Sequence, residues 1–230
     1  MWGKAEGKPV LAIIAALNEE HGIGPTISEL KHHLEKPLVL VVDGNSRDRT
    51  AEVARELYAE VILQKGVGKG DAIAQAIKHL DREIDYVVFT DADFTYPAAY
   101  IPQMIRILEE HPRIGMVCGN RFNHHLDVCA MRNAFNFGNR LLAFSHNLLN
   151  GVTMRDPLTG LRVVRSEILR GWRPKSKGFD IEVEMNHHVE REGFEIVEID
   201  IPYRARVGEK KLKLKHGITI MKRILTESAS

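Results

Sequence analysis

Short apolar runs alternate with stretches of helical periodicity through the first half of the chain. Residues 10–17, 38–43, 61–64 and 86–91 are apolar almost to their last position. A run that is apolar at consecutive positions, not at every second one, predicts a strand covered on both faces. Between these runs, residues 26–35, 48–59 and 69–80 carry the spacing of helices. Strand and helix in strict alternation predict an α/β fold, with a mainly parallel central sheet and helices on both faces. In such sheets ligands bind outside the carboxyl ends of the strands. Asn18, Asp43 and Asp91 stand at or just after three of those ends, so three polar residues are expected to converge on one crevice.

The second half is less regular. Residues 133–150 place Phe137, Leu141, Phe144 and Leu148 at helical spacing, with Phe135, Leu142 and Leu149 beside them. Such a helix could receive lipid at an interface or pack on the core. Residues 161–165 and 195–201 read as strands and 179–191 as a helix. From 204 to 223 eight lysines or arginines stand against one acid, Glu209. With no repeat and no linker composition, one domain spanning 1–230 and closing on a basic tail is expected.

The net charge is only +1, so any cationic surface must be local, and nucleic acid is not the expected partner. Cys118 and Cys129 have neither metal-ligand spacing nor the density of a disulfide scaffold, which fits a reducing cytoplasm. Residues 1–9 lack the layout of a signal peptide. No stretch approaches the roughly 20 apolar residues needed to span a bilayer. A soluble or peripheral protein is expected.

Asp91-Ala92-Asp93 closes a strand that is apolar until Thr90. Two carboxylates one residue apart at a strand terminus offer hard oxygen ligands for Mg2+ or Mn2+, which keep water and phosphate oxygens as their other ligands. Asp43, ending the second strand, can accept hydrogen bonds from a base or ribose, while Ser46 or Asp48 can cap the helix that follows. An acid at that place also suits a dinucleotide fold. Here, however, the first strand leads into Ala15-Ala16-Leu17-Asn18-Glu19-Glu20 and not into a glycine-rich turn, which excludes a dehydrogenase of that type. Gly66-Val67-Gly68-Lys69-Gly70 precedes a helix whose amino terminus suits a phosphate. It lacks the full glycine spacing and the Ser or Thr after the lysine of a P-loop, which excludes that class of ATPase.

Taken together, these segments resemble the family 2 glycosyltransferases of the GT-A fold over nearly the whole chain. Leu17-Asn18-Glu19-Glu20 resembles the family's first-strand motif, with Ala15 where proline is common. Val42-Asp43-Gly44-Asn45-Ser46 is similar to its nucleoside motif, with Gly44 and Asn45 in place of an acid and a glycine. Gly68-Lys69-Gly70 matches the donor-side loop, and Asp91-Ala92-Asp93 with Tyr96-Pro97 the metal motif. Gly119-Asn120-Arg121, Gly138-Asn139-Arg140, Asp156-Pro157-Leu158-Thr159-Gly160 and Gly178-Phe179-Asp180-Ile181-Glu182 resemble the polyprenyl-phosphate (dolichol-phosphate) mannosyl- and glucosyltransferases. So does the segment from Tyr203 to Lys211, with Lys210 where serine is common.

The resemblance implies an inverting, metal-dependent transfer of a hexose from GDP-mannose, UDP-glucose or UDP-GlcNAc to a polyprenyl or dolichyl phosphate. The work would be done at the cytoplasmic face of a membrane. Residues 1–121 would hold the nucleotide sugar, residues 122–203 the acceptor, and 204–230 would be the basic tail. Asp91 and Asp93 would take Mg2+ or Mn2+. Ala15, Leu17, Asn18, Glu19, Asp43, Asn45, Lys69, Gly70, Asp91 and Ala92 would contact the donor. Asp93, Arg121 and Asp156 would be catalytic, and Arg132, Arg206, Lys210 and Lys211 would hold the acceptor phosphate. Two alternatives stay open. One is a family 2 enzyme with a soluble hydroxyl acceptor and Asp156 as its base. The other is a sugar-nucleotide-binding subunit without catalysis.

Overall fold

Each of the apolar runs forms a strand, and each strand sends alternate side chains into one of two cores. A computed structural model describes residues 9–122, 154–208 and 214–228. In chain order the elements are β1 (Val10–Ala16), α1 (Glu20–His33), β2 (Leu38–Asp43), α2 (Thr50–Glu56), β3 (Glu60–Leu63), α3 (Lys69–Ile77) and β4 (Tyr86–Asp91). They continue with α4 (Ile101–Glu110), β5 (Ile114–Asn120), β6 (Arg162–Arg165), α5 (Ser166–Leu169), α6 (Ile181–Arg191), β7 (Glu195–Asp200) and α7 (Leu214–Ser228).

The seven strands form one sheet in the order β3-β2-β1-β4-β6-β5-β7. All paired strands run parallel except at β6, which lies antiparallel between β4 and β5. From β1, Ala12, Ile14 and Ala16 enter the core shared with α1, α2 and α4, while Leu11 and Ile13 enter the core shared with α3, α5 and α6. Val39 and Val41 of β2 divide from Leu40 and Val42 in the same way, as do Val88 and Val87 of β4. Two covered faces explain why the sequence shows unbroken apolar runs. Cys118 lies fully buried in the second core, and burial pushes its thiol up to about 12.

Several boundaries differ from the sequence reading. Helix α1 begins at Glu20, six positions before residue 26, and Pro25 lies inside it. Its start is fixed by partners distant in sequence: Glu19 N donates to Thr50 Oγ1 (2.7 Å) and Glu20 N to Asp48 Oδ2 (3.1 Å). Helix α2 ends at Glu56, ahead of residue 59, because Tyr58 turns into the left-handed region (φ 56°). Helix α3 ends at Ile77, three residues before 80. Within the expected basic tail, residues 214–228 form a helix whose Ile220 and Ile224 pack with Val183 of α6, Leu158 and Phe179. The helix expected over 133–150, together with Cys129, lies outside the described residues. Among those described, no helix is long and apolar enough to cross a membrane.

Candidate active site

The register that sets Ala16 beside Asp43 and Ala15 beside Asp91 brings three loops together at the carboxyl ends of β1, β2 and β4. Short polar contacts then tie the loops to one another. Asn18, itself at φ 50°, donates its backbone N–H to Ser46 Oγ (2.8 Å) and accepts at Oδ1 from Arg47 N (2.7 Å). Asp48 accepts from the first amide of α1, Glu20, and from that of α2, Thr50 (3.0 Å), so one carboxylate supports two helix starts. Asp43 lies beneath this turn, buried, and accepts from the amide (3.0 Å) and hydroxyl (2.5 Å) of Ser46. Glycine lets α1 close on the acidic turn: a Cβ at Gly22 would lie 2.5 Å from the carbonyl oxygen of Ala92.

A cavity of about 590 Å³ opens over these loops, a size typical of small-molecule sites. Its wall includes Asp91 and Asp93, and each is paired with a cation. Lys69, the first residue of α3, bridges Asp91 (2.6 Å) and Glu182 of α6 (2.7 Å). Burial disfavours the Lys69 ammonium, but the charges of Asp91 and Glu182 outweigh it and hold its pKa above the ordinary value. Burial likewise opposes ionisation of Asp91, and Lys69, Arg121 and Arg206 overcome that to hold its pKa low. Asp93 goes the other way: burial, and then the neighbouring charge of Asp91, push its carboxyl up. Its Oδ1 accepts from Thr95 N (3.2 Å) and Thr95 Oγ1 (2.6 Å), and its Oδ2 meets Arg206 (2.6 Å).

Arg121 follows β5 and is held by Asp156, Nε to Oδ2 at 2.6 Å and Nη2 to Oδ1 at 2.7 Å. Asp156 is fully buried and also accepts from the amide of Arg121 (3.1 Å). Burial works against the Arg121 charge, and the Asp156 carboxylate more than restores it. The guanidinium lies 5.3 Å from the ring centroid of Tyr203, whose ring meets Tyr96 edge to face. The Asp156 loop is braced from below by Arg162, a buried arginine that donates to the carbonyls of Thr159 (2.9 Å) and Pro157 (2.6 Å) and to Asn186.

The structure brings most of the expected residues into the lining of one cavity: Ala15, Leu17, Glu19, Asn45, Lys69, Asp91, Ala92, Asp93, Arg121 and Arg206. Four others stand behind it. Asn18 and Asp43 fasten the loops, Gly70 opens α3 against the backbone of Ser176, and Asp156 backs Arg121. Arg132, Lys210 and Lys211 lie outside the described residues. The basic tail is less available than its composition suggests. Arg204 forks onto Glu29 (2.8 and 2.7 Å), Arg206 onto Asp93 and Glu19, and Arg223 onto Asp180 (3.1 Å). Glu182, Gln64, Tyr203, Leu158 and Ile220 also line the cavity without having been assigned a role from sequence. For Glu182 the only signal was its place in the segment Gly178-Phe179-Asp180-Ile181-Glu182.

The lining holds four carboxylates (Glu19, Asp91, Asp93, Glu182) against three cations (Lys69, Arg121, Arg206). A diphosphate entering that field needs further positive charge, and the adjacent acids Asp91 and Asp93 are hard-oxygen ligands suited to a divalent cation. Among the described residues no group of three or more His, Cys, Asp or Glu side chains is arranged to hold a metal. The two aspartates would therefore share the ion with oxygens from phosphate and water, as Mg2+ commonly requires.

A mostly parallel sheet with an acidic pair at the end of β4 and a glycine-flanked lysine at the start of α3 is the architecture of a GT-A glycosyltransferase. Residues 11–172 match the family model "Glycosyl transferase family 2", and the chain belongs to that family. It is 33% identical over 203 residues to a dolichyl-phosphate hexose transferase of Haloferax volcanii, covering 87% of this chain and 85% of that protein. It is 25% identical to a dolichol-phosphate mannosyltransferase of Pyrococcus furiosus, covering 93% of this chain and 64% of that one. In fold it is similar to glucosyl-3-phosphoglycerate synthase from Mycobacterium tuberculosis, solved with Mn2+, uridine-diphosphate-glucose and phosphoglyceric acid. The TM-score is 0.76 at 21% identity, over 97% of this chain and 80% of that one.

Proposed function

We propose that this chain transfers a hexose, with inversion, from a nucleoside-diphosphate sugar to a polyprenyl phosphate, working peripherally at the cytoplasmic face of a membrane. The observation that carries this reading is the make-up of one cavity lining. Asp91, Asp93, Lys69 and Arg121 share it with the apolar Leu158, Phe179 and Ile220, which suits a pair of phosphate-bearing reactants, one with a hydrocarbon chain. The printed names of the two lipid-phosphate transferases it resembles support the acceptor class. The uridine-diphosphate-glucose and Mn2+ or Mg2+ bound by the fold neighbour support the donor class and the metal.

In this reading Asp91 and Asp93 would hold Mg2+ or Mn2+, which when bound would supply positive charge beside the diphosphate. Lys69 stands as a fixed cation at the start of α3, where the diphosphate gains the helix amino terminus as well. The nucleoside lies along Leu17, Gly44 and Asn45. Arg121 receives the acceptor phosphate, whose oxygen attacks the anomeric carbon as the bond to the diphosphate breaks. Inversion follows from that single in-line displacement. A phosphate arrives already ionised, so no base is needed. Asp156, with both oxygens committed to Arg121, serves as the residue that orients the guanidinium. A hydroxyl acceptor would instead need a positioned base, typically worth about 10²–10⁴-fold in rate.

The test is a transfer assay with GDP-mannose, UDP-glucose and UDP-GlcNAc, each with Mn2+, against a short polyprenyl phosphate and against free sugars and glycerol derivatives. One donor is expected to label the prenyl phosphate alone, and Asp156→Asn is expected to retain more activity than Asp93→Ala. Turnover on a soluble hydroxyl acceptor that disappears in Asp156→Asn would overturn the lipid acceptor and leave the glycosyltransferase standing.

A further inference from the structure

The segment after β7 crosses the mouth of the site as a strap with a fixed end and a charged end. Arg204 N donates to the carbonyl of Thr95 (3.0 Å) and Val207 N to that of Asp93 (3.2 Å), so the strap runs along the acidic turn itself. The Arg204 side chain anchors it away from the cavity, forked onto Glu29 with its guanidinium 4.5 Å from the centroid of the Phe94 ring. Two residues on, Arg206 points into the cavity. Its Nη1 meets Asp93 Oδ2 at 2.6 Å and its Nη2 meets Glu19 Oε1, while its buried Nε has no hydrogen-bond partner among the described residues. Gly208 then turns away through φ 95°.

We infer that Arg206 is an exchangeable counter-ion: without donor it fills the cation seat between Asp93 and Glu19, and a divalent cation arriving with the donor diphosphate displaces it. This rests on the metal and donor roles proposed above. A divalent cation on Asp93 Oδ2 would stand beside the guanidinium that already pairs with that oxygen, and repulsion between the two cations sets metal binding against the Arg206 pair. Arg206 is only partly buried, its side chain 26% exposed, which leaves it room to swing outward. The displaced guanidinium, still tethered through Arg204, is then free to receive a second anion. That sets an order in which the donor binds before the acceptor phosphate. Lys69 has a second partner in Glu182, which keeps it in place when a cation takes Asp91.

The experiment titrates Mn2+ into the full chain without nucleotide, with free Mn2+ followed by electron paramagnetic resonance, for the wild type, Arg206→Met and Arg206→Lys. Removing the competing cation should tighten Mn2+ binding in Arg206→Met by about tenfold or more, the equivalent of about 1.4 kcal/mol for one partly exposed ion pair. Arg206→Lys should fall between. In parallel, hydrogen exchange at the amide of Val207 in the wild type should speed up on adding Mn2+ with UDP or GDP, while that of the anchored Arg204 does not. Equal or weaker Mn2+ binding by a folded Arg206→Met overturns the inference while leaving the metal reading in place. Failure of every variant to bind Mn2+ when UDP or GDP is also present overturns both. If Arg206→Met does not fold, the exchange measurement decides: faster exchange supports the displacement, and unchanged exchange contradicts it.

Discussion

The two sides of the cavity are built on different principles. On the side proposed to take the nucleotide, the loops after β1 and β2 are fixed by parallel strand register and by short polar contacts. Ser46 links Asp43 to Asn18, and Asp48 links the starts of α1 and α2. On the side proposed to face the acceptor, position comes from charge pairs between distant segments. Asp156 holds Arg121 across 35 residues, Glu29 holds Arg204 across 175, and Asp93 holds Arg206 across 113. The first kind of site is tied together by contacts that need no ligand. The second kind includes Arg206, which under the inference above exchanges partners when the donor and its cation arrive.

The comparison predicts unequal sensitivity to substitution. Asp156→Ala should be the most damaging to stability, by about 3–5 kcal/mol, because it leaves the largely buried Arg121 without its counter-charge. Chemical denaturation of the purified variant measures this, and a loss under 1 kcal/mol would mean that Arg121 finds water or another acid. Gly70→Ala should cost about 2 kcal/mol, since its Cβ would collide with the carbonyl oxygen of Ser176 at the start of α3. Calorimetry should show weaker binding of the free nucleoside diphosphate as well, because the Lys69 loop shifts. Ser46→Ala should have the smallest effect, about 1 kcal/mol for the lost contacts to Asp43 and Asn18. A loss in Ser46→Ala as large as that in Asp156→Ala would erase the distinction between the two sides.

What could be read from the sequence follows the same division. Apolar runs announced β1, β2, β3 and β4, and the rule that ligands gather at strand ends drew attention to Asn18, Asp43 and Asp91, of which Asp91 lines the cavity while Asn18 and Asp43 fasten the loops behind it. Their finer roles were not readable, because whether a carboxylate faces the cavity or the turn beneath it depends on which amide lies within about 3 Å. Asp43 serves the amide and hydroxyl of Ser46, a contact that a sequence motif cannot separate from a ribose contact. Helix α1 starts six residues before the expected position because Thr50 and Asp48 cap it from another loop. Glu182, Tyr203 and Ile220 reach the cavity only through the packing of α6 and α7 and the return of the chain after β7. Pairings of that range leave no local periodicity to detect. The eight cations from 204 to 223 read as a basic tail, and among the described ones Arg204, Arg206 and Arg223 are committed to acids.

The most direct test of the account is sugar transfer by the wild type and by Asp93→Ala, each assayed with EDTA and again after Mn2+ is restored. Thermal melting alongside confirms that the variant is folded. The account predicts that EDTA abolishes wild-type transfer, that Mn2+ or Mg2+ restores it, and that folded Asp93→Ala remains inert in both conditions. Full wild-type activity in EDTA, or unimpaired transfer by Asp93→Ala, would contradict the assignment of Asp91 and Asp93 as the metal-holding pair of a glycosyltransferase.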